Sequence, residues 1–147
     1  TGVQTCALPI YTGVGREIIR RCSSKSDPLF CFGTCAGAIV LSKKVTGKNA
    51  CKSLGLIDVT IDRNAYGTQV QSFDTTIKIH GIQRPQHVAF IRAPRITRVG
   101  STVEILSRYH DSPVVVRQGN ILIATCHPEV RSSTELHRLF LRMVNAR

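Results

Sequence analysis

The chain has few aromatic residues and no long apolar run. It contains no Trp, three Tyr and five Phe among 147 residues, which leaves little for the base stacking on which single-strand nucleic-acid binding relies. No stretch approaches the ~20 consecutive apolar residues of a membrane-spanning helix. The first residues lack the basic, apolar and small-residue succession of a secretory leader. We therefore expect neither a membrane protein nor a secreted one.

Acidic residues are also scarce, with nine Asp and Glu against 20 Lys and Arg and a net charge of +11. Such a balance raises nucleic acid as a candidate partner. The basic residues are scattered, however, and form no long run, which favours a solvated basic surface. We expect no nucleic-acid partner, whereas an acidic protein or an anionic substrate is compatible with the charge.

The six cysteines include no Cys-x-x-Cys pair, which argues against a zinc site. We expect no metal and no cofactor. A chain of this length forms one domain with a real core and does not need disulfides. A reducing compartment, the cytoplasm, therefore fits best.

Apolar spacing predicts helices near both ends of the chain, over residues 11–22 and 133–144, the second with Ser132 or Ser133 as its cap. Between them, a short helix is predicted over residues 38–41. Apolar runs and alternation predict strands at 29–32, 54–61, 69–73, 76–79, 88–91, 103–106, 113–117 and 120–126. The last of these is apolar on both sides, as is typical of a central strand. This order predicts an α/β sheet with its functional groups at the carboxyl ends of strands.

The most informative stretch is Gly33-Thr34-Cys35-Ala36-Gly37, which lies between a predicted strand and the short helix. A nucleophile flanked by glycines at such a turn is the nucleophile-elbow pattern, here with Cys35 in place of Ser. We expect a strained backbone at the nucleophile, small neighbours that let strand and helix close in, and a helix N-terminus that favours the thiolate. The alternative, a buried structural Cys, is about equally probable from five residues alone.

A second turn, Cys126-His127-Pro128-Glu129, follows the predicted central strand. His127 is placed to take the thiol proton, and Glu129 is placed to orient its imidazole. Taken alone, this motif is more often a structural turn with Pro. The remaining histidines are assigned to the surface: His80, His87, His110 and His137.

Together these motifs resemble the triad of class I glutamine amidotransferases. Further segments resemble the glutaminase subunits of pyridoxal 5'-phosphate synthases within that family: residues 54–56, 62–73, 90–94 and 116–120. The resemblance runs from about residue 14 to the C-terminus. It implies a flavodoxin-like three-layer α/β sandwich with an open mixed sheet.

The resemblance also implies what the chain does. It implies hydrolysis of L-glutamine to glutamate and ammonia, and a synthase subunit that receives the ammonia to build pyridoxal phosphate. It implies Cys35 as nucleophile, His127 as base, Glu129 as orienting group and the Ala36 N–H as an oxyanion donor. It places glutamine contacts at Arg63, Ile91 and Arg92, although plain solvated charge also explains the two arginines. It suggests the enzyme classes hydrolase and lyase.

Two departures from the family pattern stand out. Nothing before Cys35 matches the first β-α-β unit with its Gly-Gly-Glu-Ser-type loop, and Cys126 replaces the usual Phe. We expect an amidotransferase domain over residues 11–147 that lacks this unit, with residues 1–10 unassigned and a candidate non-native segment. The alternatives are an inactive fragment or docking subunit, and a glutaminase that serves another amidotransferase.

Overall fold

Three helices and nine strands make up the part of the chain that the computed structural model describes, residues 13–48, 50–63, 72–131 and 133–146. The helices are α1 (Val14–Cys22), α2 (Ala36–Leu41) and α3 (Glu135–Asn145), and a 3-10 turn covers Glu129–Arg131. The strands are β1 (Cys31–Thr34), β2 (Ser42–Thr46), β3 (Ile57–Asp62), β4 (Phe73–Ile77), β5 (Gln86–Phe90), β6 (Arg95–Val99), β7 (Glu104–Tyr109), β8 (Ser112–Gln118) and β9 (Ile121–Ala124).

The main sheet has four strands in the order β1-β9-β8-β7. β1 runs parallel to β9, whereas β8 is antiparallel to both of its neighbours, so the sheet is mixed. All four residues of β9 are buried. This confirms the prediction of a central strand that is apolar on both sides, because each face of β9 packs against its own core.

The alternation of side chains along β9 divides the core into two clusters. Ile121 and Ile123 belong to a cluster with α2 and with the three-stranded sheet β2-β3-β6, against which Ile18 of α1 packs. Leu122 and Ala124 belong to a cluster with α3 and the two-stranded sheet β4-β5. The main sheet is therefore the middle of three layers, and the predicted α/β class is confirmed.

Several local predictions need correction. β2 and β6 were not predicted, and β1 begins two residues later than expected because its pairing with β9 starts at Cys31. Thr134 precedes α3 without a side-chain cap, while the Ser133 hydroxyl donates to Gln86 Oε1 instead. Residues 1–12, 64–71 and Ser132, on which other predictions fall, lie outside the described residues.

Two features of the described residues bear on earlier expectations. Their five cysteines are free thiols: Cys22, Cys31, Cys35, Cys51 and Cys126. None of their helices is long and apolar enough to cross a membrane.

Candidate functional site

Cys35 lies at the tight turn between β1 and α2. Its backbone has φ of 48°, in the left-handed region that a residue with a side chain rarely adopts. Its N–H donates to Ala124 O at 2.9 Å, which continues the β1–β9 pairing and anchors the turn to the central strand. The strain predicted at this position is therefore present, held in place by the sheet next to it.

The two glycines of the turn do different things. A Cβ on Gly33 would lie 2.7 Å from the backbone C and O of Gly37, closer than such atoms can approach. Gly33 thus permits the close strand–helix contact that the sequence predicted. A Cβ on Gly37 would meet nothing within 4 Å. Packing explains the first glycine and leaves the second unexplained.

His127 is positioned by the neighbouring two-stranded sheet. Its N–H donates to Ala89 O at 2.7 Å, and its carbonyl accepts from the Ala89 N–H at 3.2 Å. This isolated antiparallel bridge fixes the backbone of His127 two residues before Glu129. Sequence reasoning missed the role of Ala89, because a small apolar residue within a strand carries no signal of it.

Glu129 contacts the imidazole through a 2.7 Å hydrogen bond between His127 Nδ1 and Glu129 Oε1. Burial opposes ionisation of this carboxyl, but the bond to His127, a backbone N–H and the charges of His127 and His137 together hold its pKa below the usual range. His137 is therefore more than the plain surface residue we expected, and its ring also packs edge-on against Phe32.

The Cys35 thiol faces the residue that follows β5. Its Sγ is 3.9 Å from Ile91 O. Burial raises the pKa of Cys35; the Ala36 N–H lowers it and the Glu129 charge raises it further. The backbone N–H at the start of α2 favours the thiolate, as expected, but burial outweighs it and the net shift in pKa is upward.

Of the remaining predicted residues, Ala36 and Ile91 lie next to Cys35, whereas Arg63 follows a strand of the three-stranded sheet. Ala36 follows Cys35 directly, and its N–H points at the sulfur. Arg92 follows Ile91, is exposed, and has φ of 46°, a second strained backbone that the sequence did not signal. Arg63 lies directly after β3 in the three-stranded sheet, with its N–H donating to Thr46 O at 3.1 Å.

The arrangement places a thiol and an imidazole–carboxylate pair at the carboxyl ends of the adjacent parallel strands β1 and β9. Such a set is suited to nucleophilic attack on an acyl carbon, with the imidazole moving the proton. Among the described residues, no three His, Cys, Asp or Glu side chains converge to hold a metal.

Comparisons with known proteins agree on one family. A family model described as "SNO glutamine amidotransferase family" matches residues 14–146. The pyridoxal 5'-phosphate synthase subunit PdxT of Thermosipho africanus (strain TCF52B) is 49% identical over 113 residues, which are 77% of this chain and 60% of that protein. The protein of the same name from Niallia circulans is 44% identical over 128 residues, 87% of this chain and 66% of that protein.

A solved structure gives the same answer at the level of the fold. A crystal structure of a glutamine amidotransferase superposes with a TM-score of 0.89 at 39% identity, over 99% of this chain and 75% of that one. The chain spans only 60% of the length of the Thermosipho relative, so the comparison covers a part of that protein.

Proposed function

Because this chain belongs to the SNO glutamine amidotransferase family, we propose that it is a glutaminase subunit that hydrolyses L-glutamine to glutamate and ammonia. The observation that carries the proposal is the strained Cys35 turn beside a hydrogen-bonded His127–Glu129 pair. We propose further that the ammonia passes to a pyridoxal 5'-phosphate synthase subunit, since the curated relatives bear the name of a subunit of that enzyme.

The lyase class suggested by the sequence is wrong. The matching family is one of glutamine amidotransferases, and the relatives are the PdxT subunits of the synthase. Removal of the glutamine side-chain amide consumes water and leaves a carboxylate, which is hydrolysis. Hydrolase is therefore the class that remains.

In the proposed mechanism, the Cys35 sulfur attacks the side-chain amide carbon of glutamine while His127 takes the thiol proton. The Ala36 N–H stabilises the oxyanion that forms. His127 then protonates the departing ammonia, leaving a γ-glutamyl thioester, and afterwards activates the water that hydrolyses it. Glu129 holds the imidazole in one tautomer and stabilises its positive charge.

Burial raises the pKa of the Cys35 thiol, which disfavours a preformed thiolate. Proton transfer to His127 therefore accompanies attack, and the imidazole must come within reach of the sulfur when glutamine is bound. For the substrate, we propose that Arg63 and Arg92 pair with the glutamine carboxylate and that the backbone at Ile91 accepts from its ammonium group. The closeness of Ile91 O to the Cys35 sulfur supports a place for Ile91 beside the bound substrate.

The partner surface is proposed around the same site. The side chains of Ile91 and Val130 are apolar and exposed, at 40% and 44%. Ile91 contacts the Cys35 sulfur through its carbonyl oxygen, and Val130 follows Glu129 in the sequence. A subunit that covered them would shield the site from water and keep ammonia from solvent. We propose one amidotransferase domain over residues 11–147 and a place in the cytoplasm.

One observation favours a second candidate, a docking subunit without glutaminase activity. Burial raises the pKa of Cys35, and the lowering by the Ala36 N–H does not offset it. In this candidate, the surface around Ile91 and Val130 binds the synthase but Cys35 does not turn over. The two candidates differ only in chemistry, so one experiment separates them.

That experiment mixes the chain with a purified pyridoxal 5'-phosphate synthase subunit, supplies glutamine, and measures ammonia release and co-sedimentation. We expect both signals, and we expect Cys35→Ala to abolish ammonia release while it leaves co-sedimentation intact. Co-sedimentation without ammonia would favour the docking subunit. Ammonia release that survives Cys35→Ala would refute the nucleophile assignment, and absence of both signals would refute the partner.

A further inference from the structure

A pair of cysteines outside the candidate site lies where α1 approaches β1. The Sγ atoms of Cys22 and Cys31 are 3.5 Å apart. Cys22 is the last residue of α1 and only 8% exposed, whereas Cys31 is the first residue of β1 and half-buried. Both are free thiols, and the proposed mechanism uses neither of them.

Hydrogen bonds already join the two backbone segments that carry this pair. The Asn120 Nδ2 donates to Cys22 O at 3.1 Å and also to Leu29 O. The Leu29 N–H donates to Arg21 O at 3.0 Å. These bonds hold the end of α1 against the residues that lead into β1, so the two sulfurs remain neighbours without a covalent link.

We propose that Cys22 and Cys31 are a reversible redox site at which a peroxide-class oxidant forms an intramolecular disulfide. The sulfurs must close from 3.5 Å to the ~2.05 Å of an S–S bond. Both side chains stand at the ends of their elements, where rotation about side-chain bonds and a small backbone shift can supply that movement. In a reducing compartment such a disulfide is transient, which suits a sensing role.

The chemistry balances with the peroxide as the only co-reactant. The sulfur of one cysteine attacks a peroxide oxygen, the O–O bond breaks, and a sulfenic acid and one water result. The sulfur of the second cysteine attacks the sulfenic sulfur, so that the S–S bond forms as the S–O bond breaks and a second water leaves. Two thiols lose two electrons and two protons, and hydrogen peroxide is reduced to two waters.

The oxidised form has a defined mechanical result. The disulfide closes the loop of residues 23–30 and ties α1 to the strand that leads into Cys35. Burial, together with the neighbouring Cys22 thiol, raises the pKa of Cys31 to about 12, so we expect disulfide formation to accelerate as the pH rises.

The test treats the full chain with hydrogen peroxide, blocks the remaining thiols with N-ethylmaleimide, and maps peptides without reduction. We expect a linked Cys22–Cys31 peptide, a mass loss of about 2 Da, and the loss of two free thiols. Dithiothreitol should restore both. A disulfide between any other two cysteines, or oxidation of both thiols to sulfinic acid without a link, would overturn the proposal.

Variants and stability give a second readout. Cys22→Ser and Cys31→Ser should each abolish the linked peptide, whereas Cys51→Ser, which removes a half-buried cysteine of the same core cluster but neither sulfur of the pair, should leave it unchanged. In the unsubstituted chain, oxidation should raise the thermal midpoint by about 4–8 °C, reversibly with dithiothreitol. An unchanged or lower midpoint would show that the link does not tether α1 to β1 and would also overturn the proposal.

Discussion

At the scale of single residues, Cys35 combines a strained backbone with a thiol whose pKa is raised by burial. The shift in pKa is larger at two other cysteines: burial raises the pKa of Cys31 and of Cys126 to about 12. Since only the thiolate reacts with alkylating agents, these differences rank the three cysteines by reactivity.

We expect iodoacetamide to modify Cys35 before Cys31 and Cys126, at a rate that still rises with pH above the ~8.5 of an ordinary thiol. Peptide mapping at several times and pH values measures the order and the profile. Denatured chain is the control, in which the three rates should converge. Earlier labelling of Cys126 in the folded chain would remove the support for Cys35 as the accessible nucleophile.

Glu129 is the second residue whose role can be tested by itself. Glu129→Gln keeps the shape of the side chain but removes the charge that faces His127 Nδ1. We expect a fall in kcat for glutamine hydrolysis of roughly 10²- to 10⁴-fold with a much smaller change in KM, because the imidazole loses its preferred tautomer. Steady-state ammonia release with the synthase subunit present is the measurement.

The matched control for that change is Glu135→Gln at the start of α3, where the carboxylate pairs with Arg138 at 3.3 Å on the surface. Its kinetics should be unchanged. Equal losses in the two variants would point to a general charge effect and against a specific orienting role for Glu129.

At the scale of elements, the β1–α2 contact sets the geometry of the site. Gly33→Ala would force its Cβ to within 2.7 Å of the Gly37 backbone, which cannot rotate away. We expect a loss of about 1–3 kcal/mol in unfolding free energy. In Gly37→Ala the new Cβ would lie in open space, so this change should be neutral or stabilise α2 by about 0.5–1 kcal/mol. Urea denaturation of both variants measures the difference, and a smaller loss for Gly33→Ala than for Gly37→Ala would contradict this account.

Most elements were predictable from the sequence because their apolar periodicity coincides with burial. β9 and α3 are examples, with Leu122 and Leu136 completely buried. β2 was missed because no Gly or Pro separates Ser42-Lys43-Lys44 from the apolar helix before it. The sequence therefore predicts that these residues are the basic end of that helix. β6 was missed because Arg95, Thr97 and Arg98 are exposed on this edge strand, and only Ile96 is deeply buried.

The candidate site was predictable in its side chains but not in its backbone contacts. Cys35, His127 and Glu129 lie in short sequence motifs, so the sequence indicates them directly. The Ala89 bridge to His127 and the contact of Ile91 O with the Cys35 sulfur are backbone interactions between residues far apart in the chain. Any residue can make them, so no residue type announces them.

At the scale of the whole molecule, the fold holds buried thiols neutral, and this makes its stability depend on pH. For Cys31 and Cys126 the pKa is about 12 in the folded chain, against ~8.5 when unfolded. The unfolded state therefore releases protons first, and stability is lost as the pH rises from ~8.5 towards 12.

We expect the free energy of unfolding under reducing conditions to fall steadily above pH ~8.5, with a slope of up to about 1.4 kcal/mol per pH unit for each thiol. Cys126→Ala should lower the free energy of unfolding at neutral pH, because it leaves a cavity, but should flatten the alkaline slope. Chemical denaturation across this range gives both quantities. An unchanged slope in the variant would mean that Cys126 is not the group that titrates.

The bridge between Ala89 and His127 has a consequence for motion. It joins the two-stranded sheet to the turn that carries His127, and the ion pair between Arg131 and Asp74 joins them a second time. We therefore expect the small sheet and the turn to open together, as one cooperative unit. Deuterium uptake at the His127 amide should follow the same time course as uptake at Ala89, so opening at the proposed base can be followed by exchange at a strand that carries none of the proposed catalytic residues.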